Sequence, residues 1–143
     1  MTTTPTLEKT GRALISPAVF DRLTNRVVTD HLIDLPRAER IVDQALGFVA
    51  TCAANPGAAL SPSVEVDMGW HAFLVHTRAY ADFCTEVAGR FIHHEPTDET
   101  DAKSGGIMRT VKAMRAAGFA VDDELWPNMA DCTQCHQGCT DSN

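Results

Sequence analysis

Apolar residues recur at helical spacing through most of this chain, three or four positions apart. Val19, Phe20, Leu23, Val27 and Val28 keep that spacing after Ser16-Pro17, and the run ends near His31. A serine N-cap followed by proline at the first helical position suits a helix start there. Pro36 opens a second run, Ile41, Val42, Ala45, Phe48, Val49 and Cys52, which Asn55-Pro56-Gly57 stops. Ser61-Pro62-Ser63 starts a third. Val66, Trp70, Phe73 and Leu74 line one side of it, and Asp67, His71 and Val75 a neighbouring side, because residues four apart stack along a helix. Thr77 is placed to cap a fourth helix carrying Tyr80, Phe83, Cys84 and Val87, with Gly89 as its end or a bend. His93-His94-Glu95-Pro96-Thr97-Asp98 reads as a turn, since Pro96 disfavours helical geometry at Glu95. After Gly105-Gly106 a fifth helix runs from Ile107 through Val111 and Met114 to Gly118, a suitable C-cap. Leu125-Trp126-Pro127 is placed to dock as an aromatic latch.

No strand-like alternation persists and no internal repeat is present. The expectation is an all-α domain, a compact bundle of about five helices with a Cys-rich C-terminal tail. The polar N-terminus, 1–12, is expected to be disordered, with 13–128 as the helical domain and 129–143 as the tail.

Composition narrows the classes. The chain has 143 residues, 44% of them apolar, enough for one real core. Its net charge of −7, with basic residues scattered, argues against nucleic-acid binding. No run of about 18 apolar residues offers a membrane span. The start, MTTTPTLEKTGR, lacks a basic region followed by an apolar one, so a cytoplasmic location is expected. Thiols there stay reduced, which leaves metal binding, redox chemistry or plain burial for the five cysteines.

Residues 67–98 hold four of the six histidines, one cysteine and the only tyrosine. His71, His76, Cys84, His93 and His94 all carry metal-competent donors, and transition-metal sites need such donors to converge. Asp67 lies one turn before His71, where a carboxylate can orient the imidazole from the outer shell. Tyr80 and Cys84 share a face of the next helix. If those two helices form a hairpin, His71 and Cys84 approach each other, and His93 or His94 returns on the following loop to close a site. The plain alternative is structural: an Asp–His pair satisfied in a helix, and a cysteine acting as a small hydrophobe. His76 fits a helix end, where a cation suits the dipole.

Val66-Asp67, Trp70-His71, Tyr80, Cys84, Gly89 and His93 or His94, then Pro96-Thr97-Asp98, resemble the glycine-rich domain-containing protein-like family. The likeness covers about a third of the chain directly. It implies a minimal, single-domain member, since the long glycine-rich region is missing. Family members commonly carry a second histidine two residues after the first, where this chain has Phe73. The resemblance speaks to fold and site location more than to an activity.

The tail holds a second cluster, Cys132-Thr-Gln-Cys135-His136 and Cys139. Two thiolates two residues apart can ligate one zinc ion, with Cys139 and a histidine of the central cluster completing the set. A CxxC pair can also cycle between dithiol and disulfide, although the usual strand-to-helix setting is absent. The spacing Cys132-x-x-Cys135-His136 matches c-type haem attachment, which the cytoplasmic expectation disfavours. An iron–sulfur cluster would need a fourth cysteine from Cys84 or Cys52. Acidic residues such as Glu65, Asp98 and Glu99 read as a solvated rim.

The expected function is binding of one transition metal, zinc first. The expected ligands come from His71, Cys84, His93, His94, Cys132, Cys135 and Cys139, with Asp67 and Tyr80 in support. Two rivals stand beside it: a thiol-redox or cysteine-modified protein acting through the tail, and a non-enzymatic module for an unidentified protein partner. No substrate is assigned, and enzymatic activity is left open.

Overall fold

The computed structural model describes residues 7–94 and 105–126. Among them are five α-helices: α1 Pro17–His31, α2 Leu35–Ala54, α3 Val64–Leu74, α4 Thr77–Ala88 and α5 Ile107–Ala116. The all-α bundle is therefore observed. Short 3-10 turns flank it at Arg12–Leu14 and Asp123–Leu125. The cysteine-rich tail lies outside the described residues, as do Pro127 and the turn beyond His94.

The helix α2 is central. Ile41, Val42, Ala45, Leu46, Phe48 and Val49 are buried, and so are Gln44 and Thr51 on the rest of its circumference. A helix covered on all sides must be packed by several neighbours, and α1, α3, α4 and α5 all lie against it. Phe20, Leu23 and Val27 enter the core from α1, Val66, Trp70 and Phe73 from α3, Tyr80, Phe83 and Cys84 from α4, and Met114 from α5. Gly69 sets how closely α3 approaches. A Cβ there would lie 2.8 Å from Ala45 Cβ and 3.0 Å from the Ile41 carbonyl oxygen. Any larger residue would push α3 off α2, and with it Asp67 and His71.

The helix ends follow the capping chemistry. Ser16 accepts from the Val19 N–H at 3.3 Å, Asp34 from Arg37 at 3.0 Å and Ser63 from Val66 at 3.2 Å. The second helix thus begins at Leu35, with Pro36 just inside it. Thr77 does not cap α4; it is the first helical residue, and His76 occupies the cap position. His76 instead bonds backward, its Nδ1 lying 2.8 Å from the Ala72 carbonyl oxygen. That fits the end-of-helix role expected for it. Gly89 ends α4 with φ 69°, the left-handed conformation glycine tolerates.

The expectation of disorder through residue 12 needs correction. Lys9 N–H donates to Gly118 O at 2.8 Å and Lys9 O accepts from Ala120 N–H at 3.0 Å, an isolated bridge. Pairing with a segment already fixed to the core satisfies backbone that would otherwise be solvated. The latch is present: Leu125 and Trp126 are buried. Trp126 Nε1 donates to Gln44 Oε1 at 2.8 Å, Asp122 N–H donates to the same oxygen at 3.0 Å, and Gln44 Nε2 donates to Ala120 O at 3.0 Å.

Candidate metal centre

The hairpin of α3 and α4 positions the site. Val75 ends α3 and α4 restarts at Thr77, so the two helices turn back almost at once. After Gly89 the chain returns as an extended segment, 91–94, beside α3. Two buried side chains of α4 grip that segment. Tyr80 Oη donates to the Ile92 carbonyl at 2.5 Å, and Ile92 N–H donates to Cys84 Sγ at 3.5 Å. Trp70 Nε1 donates to Tyr80 Oη at 3.0 Å. Burial pushes the Tyr80 phenol well above its usual pKa, so it stays a neutral O–H donor. Both backbone groups of Ile92 are therefore held, two residues before His94.

That grip brings His94 against α3. Its ring lies 4.3 Å from the Trp70 ring, centroid to centroid. Nε2 of His94 is 3.0 Å from Nε2 of His71 and 2.6 Å from Oδ1 of Asp67. Nε2 of His71 is 3.4 Å from Oδ2 of Asp67. These three residues form the one group of at least three metal-competent side chains that converge among the described residues. Asp67 and His71 sit together because they are four apart on α3, on the flank beside the Trp70 stripe.

One hydrogen is enough to link this cluster: His94 Nε2–H can donate to Asp67 Oδ1 while an unprotonated His71 Nε2 faces the same hydrogen. His94 Nε2 carries at most one hydrogen, and Asp67 Oδ1 and His71 Nε2 both compete for it. Protonating His71 Nε2 as well turns two N–H groups toward each other at 3.0 Å. Its remaining acceptor, at 3.4 Å, is beyond a good hydrogen bond. A cation at the centre is a second way to satisfy the cluster, because all three groups can present lone pairs to it. Donor atoms about 2.1 Å from a zinc ion lie ~3.0–3.4 Å apart, from right-angled to tetrahedral arrangements. The separations of 3.0 and 3.4 Å fall in that range, while the 2.6 Å from His94 to Asp67 Oδ1 is a hydrogen-bond distance that an ion would have to widen. His94 and Asp67 are largely covered, at 15% and 33% exposure, while His71 is 60% exposed, so the cluster opens to solvent on one side.

The other expected donors fall elsewhere. Cys84 is fully buried, engaged with Ile92 N–H, and outside the convergent group. His93 lies 4.8 Å from the Phe91 ring and faces a different cleft. Cys132, Cys135 and Cys139 lie outside the described residues. Asp67, read from the sequence as an outer-shell support, stands at donor distance itself. Tyr80 acts through the backbone of Ile92 rather than on an imidazole. Sequence reasoning passed over Ile92, because its part is played by main-chain atoms.

A small helical domain with two imidazoles and a carboxylate gathered on one hairpin defines the class: a bundle with a candidate metal centre on its surface. The chain belongs to the UCP032817-like family, whose model matches residues 12–125. This corrects the resemblance to the glycine-rich domain-containing protein-like family. Of the residues behind that likeness, Trp70, Tyr80 and Cys84 hold the segment after α4 at Ile92, and Gly89 ends α4. No curated protein and no solved structure matches the chain.

Proposed function

We propose that the protein binds one divalent transition-metal ion, zinc first, through Asp67, His71 and His94. The observation that carries this reading is the meeting of two Nε2 atoms and a carboxylate, each within 3.4 Å of the next. Donors 23 and 27 residues apart in sequence meet where the buried hydrogen bonds of Trp70, Tyr80 and Cys84 hold Ile92, two residues before His94. Three protein ligands leave a zinc ion a position for water, a substrate or a further donor. The solvent-facing side at His71 is where it would lie. Cys132, Cys135 or Cys139 could fill that position from the tail, in the reduced setting of a cytoplasm.

Two imidazoles and one carboxylate also form the donor set of non-haem iron(II) sites, which makes iron the second metal to test. The test is elemental analysis of protein purified without a metal-affinity column, for the wild type, His71→Ala, His94→Ala and a chain ending at residue 130. About one equivalent in the wild type and the shortened chain, lost in both histidine variants, supports the reading. Less than about a third of an equivalent of any metal in the wild type rejects it. Metal that disappears only with the tail moves the site to the cysteines, and a thiol-redox role then becomes the better account.

A further inference from the structure

The His93-His94 doublet faces two ways. His94 joins Asp67 and His71, while His93 lines a cleft of about 300 Å³ beneath the α2–α3 connection. Arg90 lines the same cleft, with Cys52, Leu60, Trp70 and residues 55–59. No aspartate or glutamate lines it among the described residues, although the chain carries a net charge of −7. With a guanidinium as the one charged group among the described lining residues, the cleft favours an anion locally, against the acidic field of the whole chain.

We propose that this cleft binds a small organic acid by its oxyanion group. Arg90 supplies a fixed positive charge and a planar fork of N–H donors suited to carboxylate or phosphate. His93 supplies a ring N–H, which a neutral imidazole also offers. Trp70 and Leu60 provide an apolar wall for the remainder of the molecule, the usual make-up of a small-ligand site. Cys52 is part of the wall and not a nucleophile: burial pushes its thiol up to about 12, against the opposing pull of Arg90. The size of the cleft limits the ligand to something like one ring with one acid group. This inference does not depend on a metal, although Trp70 is common to both sites: its ring packs on His94 and lines the cleft.

Calorimetric titration of metal-free protein with phenyl phosphate, benzoate and inorganic phosphate tests it. The ring-bearing acids should bind several-fold more tightly than inorganic phosphate, and the better of the two names the acid. Arg90→Gln and His93→Gln should each weaken binding, Arg90→Gln by about tenfold, the size of one charge-assisted hydrogen bond. Both side chains are exposed, so circular dichroism should be unchanged in either variant. Asp67→Asn and His71→Ala should bind the acids like the wild type. Absence of binding by all three probes at millimolar concentration overturns the proposal. So does equal binding by Arg90→Gln, and loss in His71→Ala with retention in Arg90→Gln would assign the anion to the other cluster.

Discussion

Two tryptophans mark two polar clusters of opposite character. Around Trp126, Gln44 spends its oxygen on the indole N–H and the Asp122 amide, and its nitrogen on the Ala120 carbonyl. Arg40 forks onto Asp122 at 2.6 and 2.8 Å. The indole, the Asp122 amide and the Gln44 amide all have acceptors there. Around Trp70 the indole N–H is equally well placed on Tyr80, but the groups on its other side, His94, His71 and Asp67, gather three metal-competent donors at an edge open to solvent. A latch closes its own hydrogen bonds and needs nothing further. The cluster at Trp70 instead brings donors from two segments to an exposed edge, and that difference separates structure from candidate function in this protein.

Substitutions should divide along the same line. The largest effect is expected for His94→Ala, which removes a proposed ligand. Zinc affinity should fall by at least about 100-fold, the upper end of what outer-shell partners alone are worth. The thermal midpoint of the metal-free protein should move little. A metal-free protein that loses several degrees would instead make His94 a structural residue.

Gln44→Leu should do the reverse. It leaves the indole N–H, the Asp122 amide and the Ala120 carbonyl without partners, and should cost roughly 2–3 kcal/mol in urea unfolding. Zinc binding by the folded fraction should not change. Between these lies Tyr80→Phe, which keeps the ring and removes the hydroxyl that holds Ile92. It should lower zinc affinity about tenfold, like other losses of outer-shell support. Loss of stability with unaltered zinc affinity would show that Tyr80 serves the core alone.

The smallest effect concerns pH. Arg40 holds the Asp122 carboxyl below its ordinary range through their hydrogen bonds. A carboxyl with a lowered folded-state pKa stabilises the fold above its unfolded pKa and loses that contribution as pH falls through the folded one. Arg40→Met should therefore lower the urea midpoint slightly at neutral pH. The difference from the wild type should shrink as acid protonates Asp122. A difference that is constant with pH would assign the loss to packing of the Arg40 stem.

The helices were legible because their signals are local. Ser16-Pro17, Ser63 and Gly89 mark ends by their own backbone chemistry, and the apolar spacing of α2 is read directly. The neighbourhood of the site was also legible, since Asp67 and His71 share a helix face. What could not be read was which half of His93-His94 would turn inward. That depends on Tyr80 and Cys84 holding the main chain of Ile92, a contact without a sequence period. Gln44 was missed for a related reason. It is a lone polar residue on a buried helix, and its partners lie about 80 residues further along. Cys84 has a suitable donor, but its place in the core commits it to a backbone amide.

The most direct test of the central claim is anomalous diffraction from crystals soaked in zinc, collected on both sides of the zinc absorption edge. The account predicts one strong peak about 2.0–2.2 Å from the Nε2 atoms of His71 and His94 and an oxygen of Asp67. A protein that takes up zinc but shows no peak between those three residues would contradict it.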